Sequence, residues 1–258
     1  MFGKGGDHLD NNIKERFLSA CDRVNSLGIE RSTIGTLGEK SLHLILKYTF
    51  EPDCSYHEVK VGRFYADIKN QDGITEIHTG SFNTLRKKLD AFLLLGNVRV
   101  VYPIGRRKHI VWIDIESGEM TPPRKSPKTG SFFHCFRELY KIKQYLDVPG
   151  LIFTPVLMDI TEYRKLDGWS ADRKKGSNRF ERIPTDIVDV INISCKEDYS
   201  MLVPDDLTQP FTVKDFARVA KLSPRGASDA IAVLKYLDII KLQGKKGRAY
   251  LYCLTKNE

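Results

Sequence analysis

"RFYADIKNQDGITEIHTG", residues 63–80, contains the hairpin on which the fold of this chain is built. Two segments that alternate apolar and polar residues flank "NQDG" at 70–73, a sequence typical of a tight turn. The segment "YHEVKVG" at 56–62 has the same alternation. Together the three segments predict an antiparallel meander, because alternation with a period of two places one face of each strand on a core.

Helical patterns flank this meander on both sides. Apolar residues at helical spacing predict a leading helix over residues 10–27 and a second helix that begins at Glu39 and ends before Pro52. A third helix is predicted over residues 81–96. The order of helices and strands predicts an α/β (α+β) protein with a mixed sheet flanked by helices.

Further strands follow the third helix. "VRVVYPI" at 98–104 predicts a buried strand, and "KHIVWIDI" at 108–115 predicts a second one across a turn at "GRRK", 105–108. Residues 133–146 return to helical spacing, and residues 151–163 predict another buried strand. Residues 164–184 are rich in cations and lack an apolar period, which predicts a long basic loop.

The last fifty or so residues form a separate pattern. Two short helices, a turn between them and a hairpin with Gly and Lys at its tip are predicted after about residue 206. Ser223 is placed to cap the second helix, with Pro224 as its first residue. We therefore divide the chain into residues 1–204 and 205–258.

Composition narrows the class of protein and its partners. The net charge of +8 on a chain that is 41% apolar predicts a folded basic protein, which favours a polyanionic partner without requiring one. Five scattered cysteines with no Cys-x-x-Cys pair favour free thiols in a reducing compartment over zinc or disulfides. The sequence has no apolar signal core and no run long enough to span a bilayer, so we expect a soluble, cytoplasmic protein that does not contact membranes.

The hairpin also carries candidate chemistry. Pairing of its strands would place Asp67 near Glu76, with His78 on the same face as Glu76. Two carboxylates so placed repel each other unless a cation lies between them, and oxygen ligands suit Mg²⁺ or Mn²⁺. The alternative is that these are solvated strand residues, but Glu39, in the first turn of the second helix, could complete a metal site.

This arrangement resembles the PD-(D/E)XK, or restriction-endonuclease-like, nuclease superfamily over residues 35 to about 115. The family core runs helix, three-strand meander, helix, strand. On this resemblance Glu39 matches the helix acid, Asp67 the acid of the second strand, and Glu76-Ile77-His78 the (Asp/Glu)-x-Lys of the third. The resemblance implies that Asp67, Glu76, the carbonyl of Ile77 and Glu39 hold Mg²⁺ or Mn²⁺, and that residue 78 positions the attacking water for phosphodiester hydrolysis.

His78 departs from the family pattern, which usually has lysine there. An imidazole can accept a proton or hold a water molecule, but it lacks the permanent charge of lysine at pH 7. Lys40, Lys69 or Lys88 could supply that charge from a neighbouring element. The departure leaves open a nuclease fold that binds DNA without cutting it.

The C-terminal pattern resembles a winged helix-turn-helix domain, in which the second helix enters the major groove and the hairpin wing follows the phosphate backbone. The alternative is a winged helix used for protein contacts, which the acid Asp229 on the second helix favours. The basic loop could clamp a nucleic-acid backbone or be merely solvated. The candidate DNA-binding residues are Arg225, Ser228, Lys235, Lys245, Lys246, Arg248, Arg173, Lys174 and Lys175.

The sequence thus favours a DNA-binding protein with a divalent-metal-dependent endonuclease core acting on double-stranded DNA. Glu39, Asp67, Glu76 and His78 are its expected catalytic residues. Many members of the nuclease superfamily that the chain resembles cut as homodimers, so a homodimer is a further expectation. The alternatives are a non-catalytic DNA-binding or regulatory protein on an inactivated nuclease fold, and an interaction protein whose basic charge is incidental.

Overall fold

The structure, a computed structural model, describes residues 11–26, 41–114, 116–165 and 178–255. It is a mixed α+β protein in which helices flank a large mixed sheet, as the order of the sequence patterns predicts. None of the helices in these ranges is long and apolar enough to cross a bilayer. The described residues fall into two compact units: unit 1 comprises those of Met1–Val59, Pro103–Ser131 and Val156–Ile191, and unit 2 those of Lys60–Tyr102, Phe132–Pro155 and Asn192–Glu258.

Within the described ranges, seven strands form the large sheet in the order β1-β2-β3-β4-β6-β7, with β5 paired to β4. The pairs β2/β3 and β6/β7 are antiparallel, whereas β3 and β4 are parallel, so the sheet is mixed. The long strands β4 and β6 contribute residues to both units. The strands are β1 His57–Val61, β2 Phe64–Asn70, β3 Gly73–Ile77, β4 Val98–Ile113, β5 Arg124–Lys125, β6 Leu151–Lys165 and β7 Asn178–Val190.

Six α-helices belong to the described residues: α1 Asn11–Ser26, α2 Ser41–Phe50, α3 Arg86–Phe92, α4 Phe136–Leu139, α5 Val213–Val219 and α6 Pro224–Tyr236. In unit 1, α1 packs against α2, and α2 packs against β7. The predicted apolar stripes form these contacts, since Phe17 of α1 and Leu46 of α2 are both buried. Glu39, the predicted first residue of the second helix, lies outside the described residues.

The connection β3-α3-β4 positions the candidate site in unit 2. Parallel strands cannot be joined by a tight turn, so the chain crosses over through α3 before β4 begins. Leu89 and Phe92 are fully buried, which fixes the face of α3 that packs inward. The three-strand meander, the crossover helix and the buried strand after it are therefore where the sequence patterns predict them.

The predicted turn at 105–108 is wrong, because β4 runs without interruption from Val98 to Ile113. Gly105 does not turn the chain; its carbonyl is closely approached by the backbone at Gly130, which has no side chain to prevent this. A Cβ atom on Gly130 would lie only 2.2 Å from the carbonyl oxygen of Gly105. Arg106 lies inside β4, and its side chain donates from Nε and Nη2 to the two carboxylate oxygens of Asp159 on β6, at 2.9 and 2.6 Å.

Two further expectations need correction. The helix predicted over 133–146 is broken into the 3₁₀ turn Phe132–Cys135, the short α4 and the 3₁₀ segment Tyr140–Tyr145. The basic loop predicted over 164–184 is wrong at both ends, because β6 continues to Lys165 and β7 already begins at Asn178; residues 166–177 lie outside the described residues. Charged residues pair across these strands, as Glu162 does with Arg182, so the sequence lacks the apolar alternation that reveals a strand.

The C-terminal elements confirm the predicted order of two helices and a hairpin, with β8 Ile240–Lys246 antiparallel to β9 Ala249–Leu254. The cap is also confirmed: the Ser223 side chain accepts a hydrogen bond from the backbone N–H of Gly226 at 3.1 Å, and Pro224 begins α6. In unit 2 the ring of Phe216 on α5 meets that of Phe136 on α4, 6.2 Å apart. The division into residues 1–204 and 205–258 stays a prediction.

The turn before β3 provides a test of the fold. Gly73 has φ +126°, and a Cβ atom there would lie 2.4 Å from the carbonyl oxygen of Asn97. We expect Gly73→Ala to lower the free energy of unfolding by about 2 to 4 kcal/mol, because it combines backbone strain with overpacking. Urea denaturation measures the change.

Gly62→Ala is the matched control. Gly62 also has a positive φ, +59°, but a Cβ atom there would meet nothing within 4 Å. Its cost should therefore be limited to backbone strain, about 1 kcal/mol. Equal losses in the two variants would contradict the role assigned to the contact with Asn97.

Candidate active site

The β2–β3 hairpin brings two carboxylates together in unit 2. Its ladder pairs Ile68 with Thr75 and Asn70 with Gly73, and the same register continued by one step sets Asp67 opposite Glu76. Asp67 Oδ2 accepts a hydrogen bond from the backbone N–H of Ile77 at 2.6 Å, so its carboxylate reaches across to the neighbouring strand. The hairpin thus fixes Asp67 beside the residue that carries the second acid.

Glu76 is the most unusual residue of this region, because its carboxylate is almost completely buried, with 3% of the side chain exposed. Its Oε2 accepts a hydrogen bond from Nζ of Lys88 at 2.8 Å. Its Oε1 is buried and has no hydrogen-bond partner within the part of the chain that the structure describes. A buried acceptor without a partner is costly, which marks this atom as a place where a ligand could bind.

The sequence of α3 explains how Lys88 reaches Glu76. Lys88 lies next to Leu89 and four residues before Phe92, both of which are buried, so it occupies the edge of the inward face of the helix. Its side chain is 27% exposed, which leaves the ammonium group in contact with water while it pairs with Glu76. Lys69, another lysine that could supply charge, is exposed on β2, and Lys40 lies outside the described residues.

The electrostatics of the site are dominated by burial. Burial and, second, the negative charge of Asp67 raise the pKa of Glu76 from its ordinary value of 4.5 to about 7. The ion pair with Lys88 acts in the opposite direction but does not outweigh them. One lysine therefore undercompensates this pair of acids, and an added cation would favour the ionised form of Glu76.

His78 is held by the backbone that follows β3. Its Nε2 lies 3.0 Å from the carbonyl oxygen of Ser81, and its ring meets Phe82 edge to face. Burial lowers the pKa of His78, so the imidazole is neutral at pH 7 and donates from Nε2 to the carbonyl of Ser81. This geometry assigns Nε2 to a structural hydrogen bond and leaves Nδ1 as the only ring nitrogen that can accept a proton.

A neighbouring network stabilises the loop that holds His78, and sequence reasoning did not identify it. Glu138 of α4 accepts the backbone N–H of Phe82 at 2.8 Å and pairs with Lys141 at 2.6 Å. Lys141 also donates to the hydroxyl of Ser81 at 2.9 Å. The signal in the sequence was the i, i+3 spacing of Glu138 and Lys141 within a segment of helical periodicity.

The donor set available for a metal is small. No group of three or more His, Cys, Asp or Glu side chains that could hold a metal ion is present in the described ranges. Asp67 and Glu76 nevertheless fit a hard divalent cation, because they offer carboxylate oxygens and one of these, Glu76 Oε1, is buried without a partner. Glu39, the third acid expected from the sequence, lies outside the described residues.

The candidate DNA-binding residues of the C-terminal module lie at the surface. Those of α6 and of the β8–β9 hairpin are exposed, namely Arg225, Ser228, Lys235, Lys245, Lys246 and Arg248. Asp229, the acid on α6 that favours protein contacts, is buried at 8% exposure and so does not contribute to that surface. Arg173, Lys174 and Lys175 lie outside the described residues.

The fold and the site define a class: a mixed α+β protein whose helix-flanked sheet carries a buried glutamate paired to a lysine from the crossover helix. Residues 40–194 match the family described as Domain of unknown function (DUF8091), and the chain belongs to this family. The matched segment includes Asp67, Glu76 and Lys88.

A relative is an uncharacterized protein of Treponema pallidum (strain Nichols), 36% identical over 151 residues. The match covers 58% of this chain and 57% of that protein, so the chain spans little more than half the length of the relative. No solved structure matches.

The raised pKa of Glu76 predicts a pH dependence of stability. The folded protein binds the proton of the Glu76 carboxyl group more tightly than the unfolded chain does. The stability gained from this protonation is therefore fully present below about pH 4.5 and is lost as pH rises through about 7. The size of this contribution is about 3 kcal/mol. Urea denaturation from pH 4.5 to 8 should show this loss in the wild-type protein and not in Glu76→Gln.

Glu119→Gln, which removes an exposed glutamate, is the control and should keep the wild-type profile. A wild-type profile in Glu76→Gln would contradict the assignment of this pH dependence to Glu76.

Proposed function

We propose that this protein is a divalent-metal-dependent endonuclease that acts on double-stranded DNA, with Asp67 and Glu76 as metal ligands. The observation that carries the proposal is Glu76, whose buried carboxylate pairs through Oε2 with Lys88 and leaves Oε1 without a partner. The element order α2-β1-β2-β3-α3-β4 supports it, because it is the order of the nuclease core that the sequence resembles. Mg²⁺ is the proposed ion, with Mn²⁺ as its substitute.

Each residue of the site has a part in this proposal. When bound, the metal would polarise the scissile phosphate and lower the pKa of a bound water. Asp67 and Glu76 supply oxygen ligands, and Glu76 ionises fully once a cation lies beside it. Lys88 supplies the positive charge that, in the nuclease family that the chain resembles, comes from a lysine at the position of His78. His78 is a positioning residue that holds the end of β3 through the carbonyl of Ser81.

The C-terminal module would bring the site to its substrate. The exposed cations of α6 and of the hairpin fit the major groove and the phosphate backbone, respectively. Burial of Asp229 supports this use, since it removes a negative charge from the face that would approach DNA. Five free cysteines, of which Cys54 and Cys195 are exposed, favour the reducing cytoplasm as the compartment.

A second candidate function is DNA binding without cleavage. It is favoured by the ion pair itself, because Lys88 already occupies one oxygen of Glu76. On this alternative the lysine replaces the metal, and the acids have only a structural role.

Cleavage of supercoiled plasmid in Mg²⁺ or Mn²⁺ tests the proposal. We expect nicked or linear product from the wild-type protein, and losses of about a hundredfold or more in Asp67→Ala, Glu76→Ala and Lys88→Ala. The matched control is Lys87→Ala, which removes the exposed neighbouring lysine of α3 and should keep wild-type activity. Binding to a DNA duplex, measured in EDTA, should be unchanged in all four variants.

A second measurement separates catalysis from metal binding. Mg²⁺ should raise the melting temperature of the wild-type protein above pH 7 by mass action, and should not do so in Glu76→Gln. DNA binding with neither metal stabilisation nor cleavage would overturn the nuclease proposal in favour of the non-catalytic alternative.

A further inference from the structure

A second buried carboxylate, Glu162 of β6, lies at the centre of a cluster of cations in unit 1. Only 1% of its side chain is exposed. Arg164 donates to its Oε1 from Nε at 2.7 Å and from Nη2 at 2.6 Å. Nε of Arg179 on β7 lies 3.4 Å from its Oε2. Arg182 is its partner in the β6–β7 ladder.

Lys108 of β4 adds a further positive charge. Burial lowers the pKa of Lys108, the charge of Glu162 opposes this effect, and Arg179, Arg182 and Arg164 lower the pKa further. Lys108 is therefore close enough to interact electrostatically with four charged side chains, those of Glu162, Arg164, Arg179 and Arg182. Within the described residues, Arg164, Arg179 and Lys108 place three positive charges around one carboxylate, a formal excess of two.

The stability of Glu162 does not require this excess. Arg164 alone could neutralise its charge, and each further cation adds repulsion within the cluster. The other acid nearby on β7, Glu181, accepts the backbone N–H of Ser41, which begins α2. The same carboxylate accepts the backbone N–H of Arg182 at 3.0 Å, and because side chains alternate along a strand, the side chains of Glu181 and Arg182 lie on opposite faces of β7.

The cluster is both accessible and held in place. The side chains of Arg179 and Arg164 are 50% and 26% exposed. Arg164 also lies over the ring of Trp112, 5.6 Å from its centre, and Lys165 lies over Phe180 at 4.5 Å. Such contacts restrict the side chains before any ligand binds, which lowers the entropy cost of binding.

We propose that the cluster of Lys108, Arg164, Arg179 and Arg182 around Glu162 is a phosphate-binding site for the backbone of a nucleic acid. Arginine donors suit phosphate oxygens because they form paired, charge-assisted hydrogen bonds. The strands of the cluster, β4, β6 and β7, lie about 4.8 Å apart, so its donors extend over about 10 Å, enough for more than one phosphate. The site belongs to unit 1 and does not depend on the proposed metal chemistry.

The salt dependence of DNA binding tests this site. Affinity of the full chain for a duplex of about 20 base pairs is measured in EDTA between about 50 and 200 mM salt, where each phosphate contact adds about 0.9 to the slope of log K against log salt. Arg179→Gln should lower the slope by about that amount, and Arg179→Gln/Arg182→Gln by about twice as much, with at least a tenfold loss of affinity. Arg137→Gln, which removes an exposed arginine of α4 in unit 2, should change neither value.

Glu162→Gln provides an independent readout. Without the carboxylate the cations lack a counter-ion, so inorganic phosphate should raise the melting temperature of this variant more than chloride does at equal ionic strength. The gain should exceed that of the wild-type protein. An Arg179→Gln slope equal to that of Arg137→Gln would overturn the proposal. Stabilisation by phosphate with no change of slope would instead indicate a site for small phosphates and overturn the nucleic-acid assignment.

Because the assay contains EDTA, its outcome is separate from that of the cleavage test. A protein that never cuts DNA can still show the loss of slope. A nuclease can equally cut DNA while Arg179→Gln leaves the slope unchanged, and then the cluster is not a phosphate site.

Discussion

Burial of Glu76 constrains the candidate active site more than any other interaction in unit 2. An ionised carboxylate cannot be removed from water without compensation, and here compensation comes from Lys88 at 2.8 Å. That lysine reaches β3 only because α3 crosses over between β3 and β4, with Leu89 and Phe92 packed inward. The parallel pairing of β3 with β4 requires the crossover helix α3, and this helix supplies the lysine that pairs with Glu76.

The register of the β2–β3 hairpin is the second feature on which the site depends. In a strand, a slip of one residue moves every side chain to the other face, so Asp67 would no longer lie opposite Glu76. The turn that sets this register is held at its base, where Ile74 N–H donates to the carbonyl of Asn97 at 2.9 Å and Gly73 leaves room for that carbonyl. Val98, next to Asn97, donates to the carbonyl of Gly150 at 2.8 Å. Electrostatics at one end of β3 therefore depend on close backbone packing at the other.

Local signals in the sequence were enough for the meander, α1, the crossover helix and the cap at Ser223, because each depends on residues within a few positions of one another. Long-range contacts decided the rest. Gly105 looked like a turn residue, but it lies inside β4, and its carbonyl is approached closely by Gly130. The strand β7 was hidden because its cations pair with residues of β6. Asp67 and Glu76 were recognised as a pair, but the burial of Glu76 was not predicted. The sequence offered three lysines as charge donors: Lys88 pairs with Glu76, Lys69 is exposed, and Lys40 lies outside the described residues.

Glu76 and Glu162 are both buried glutamates, but the charges around them favour ligands of opposite sign. Both are buried, and burial raises the pKa of each. At Glu76 one lysine faces two acids, so the pKa stays raised and the site lacks positive charge. At Glu162 Arg164, Arg179 and Lys108 outweigh burial, so the pKa is lowered and the site has positive charge to spare. A cation lowers the energy of the first arrangement and an anion that of the second. The two proposals therefore assign ligands of opposite charge to the two acids, a divalent cation at Glu76 and a phosphate at the cations around Glu162.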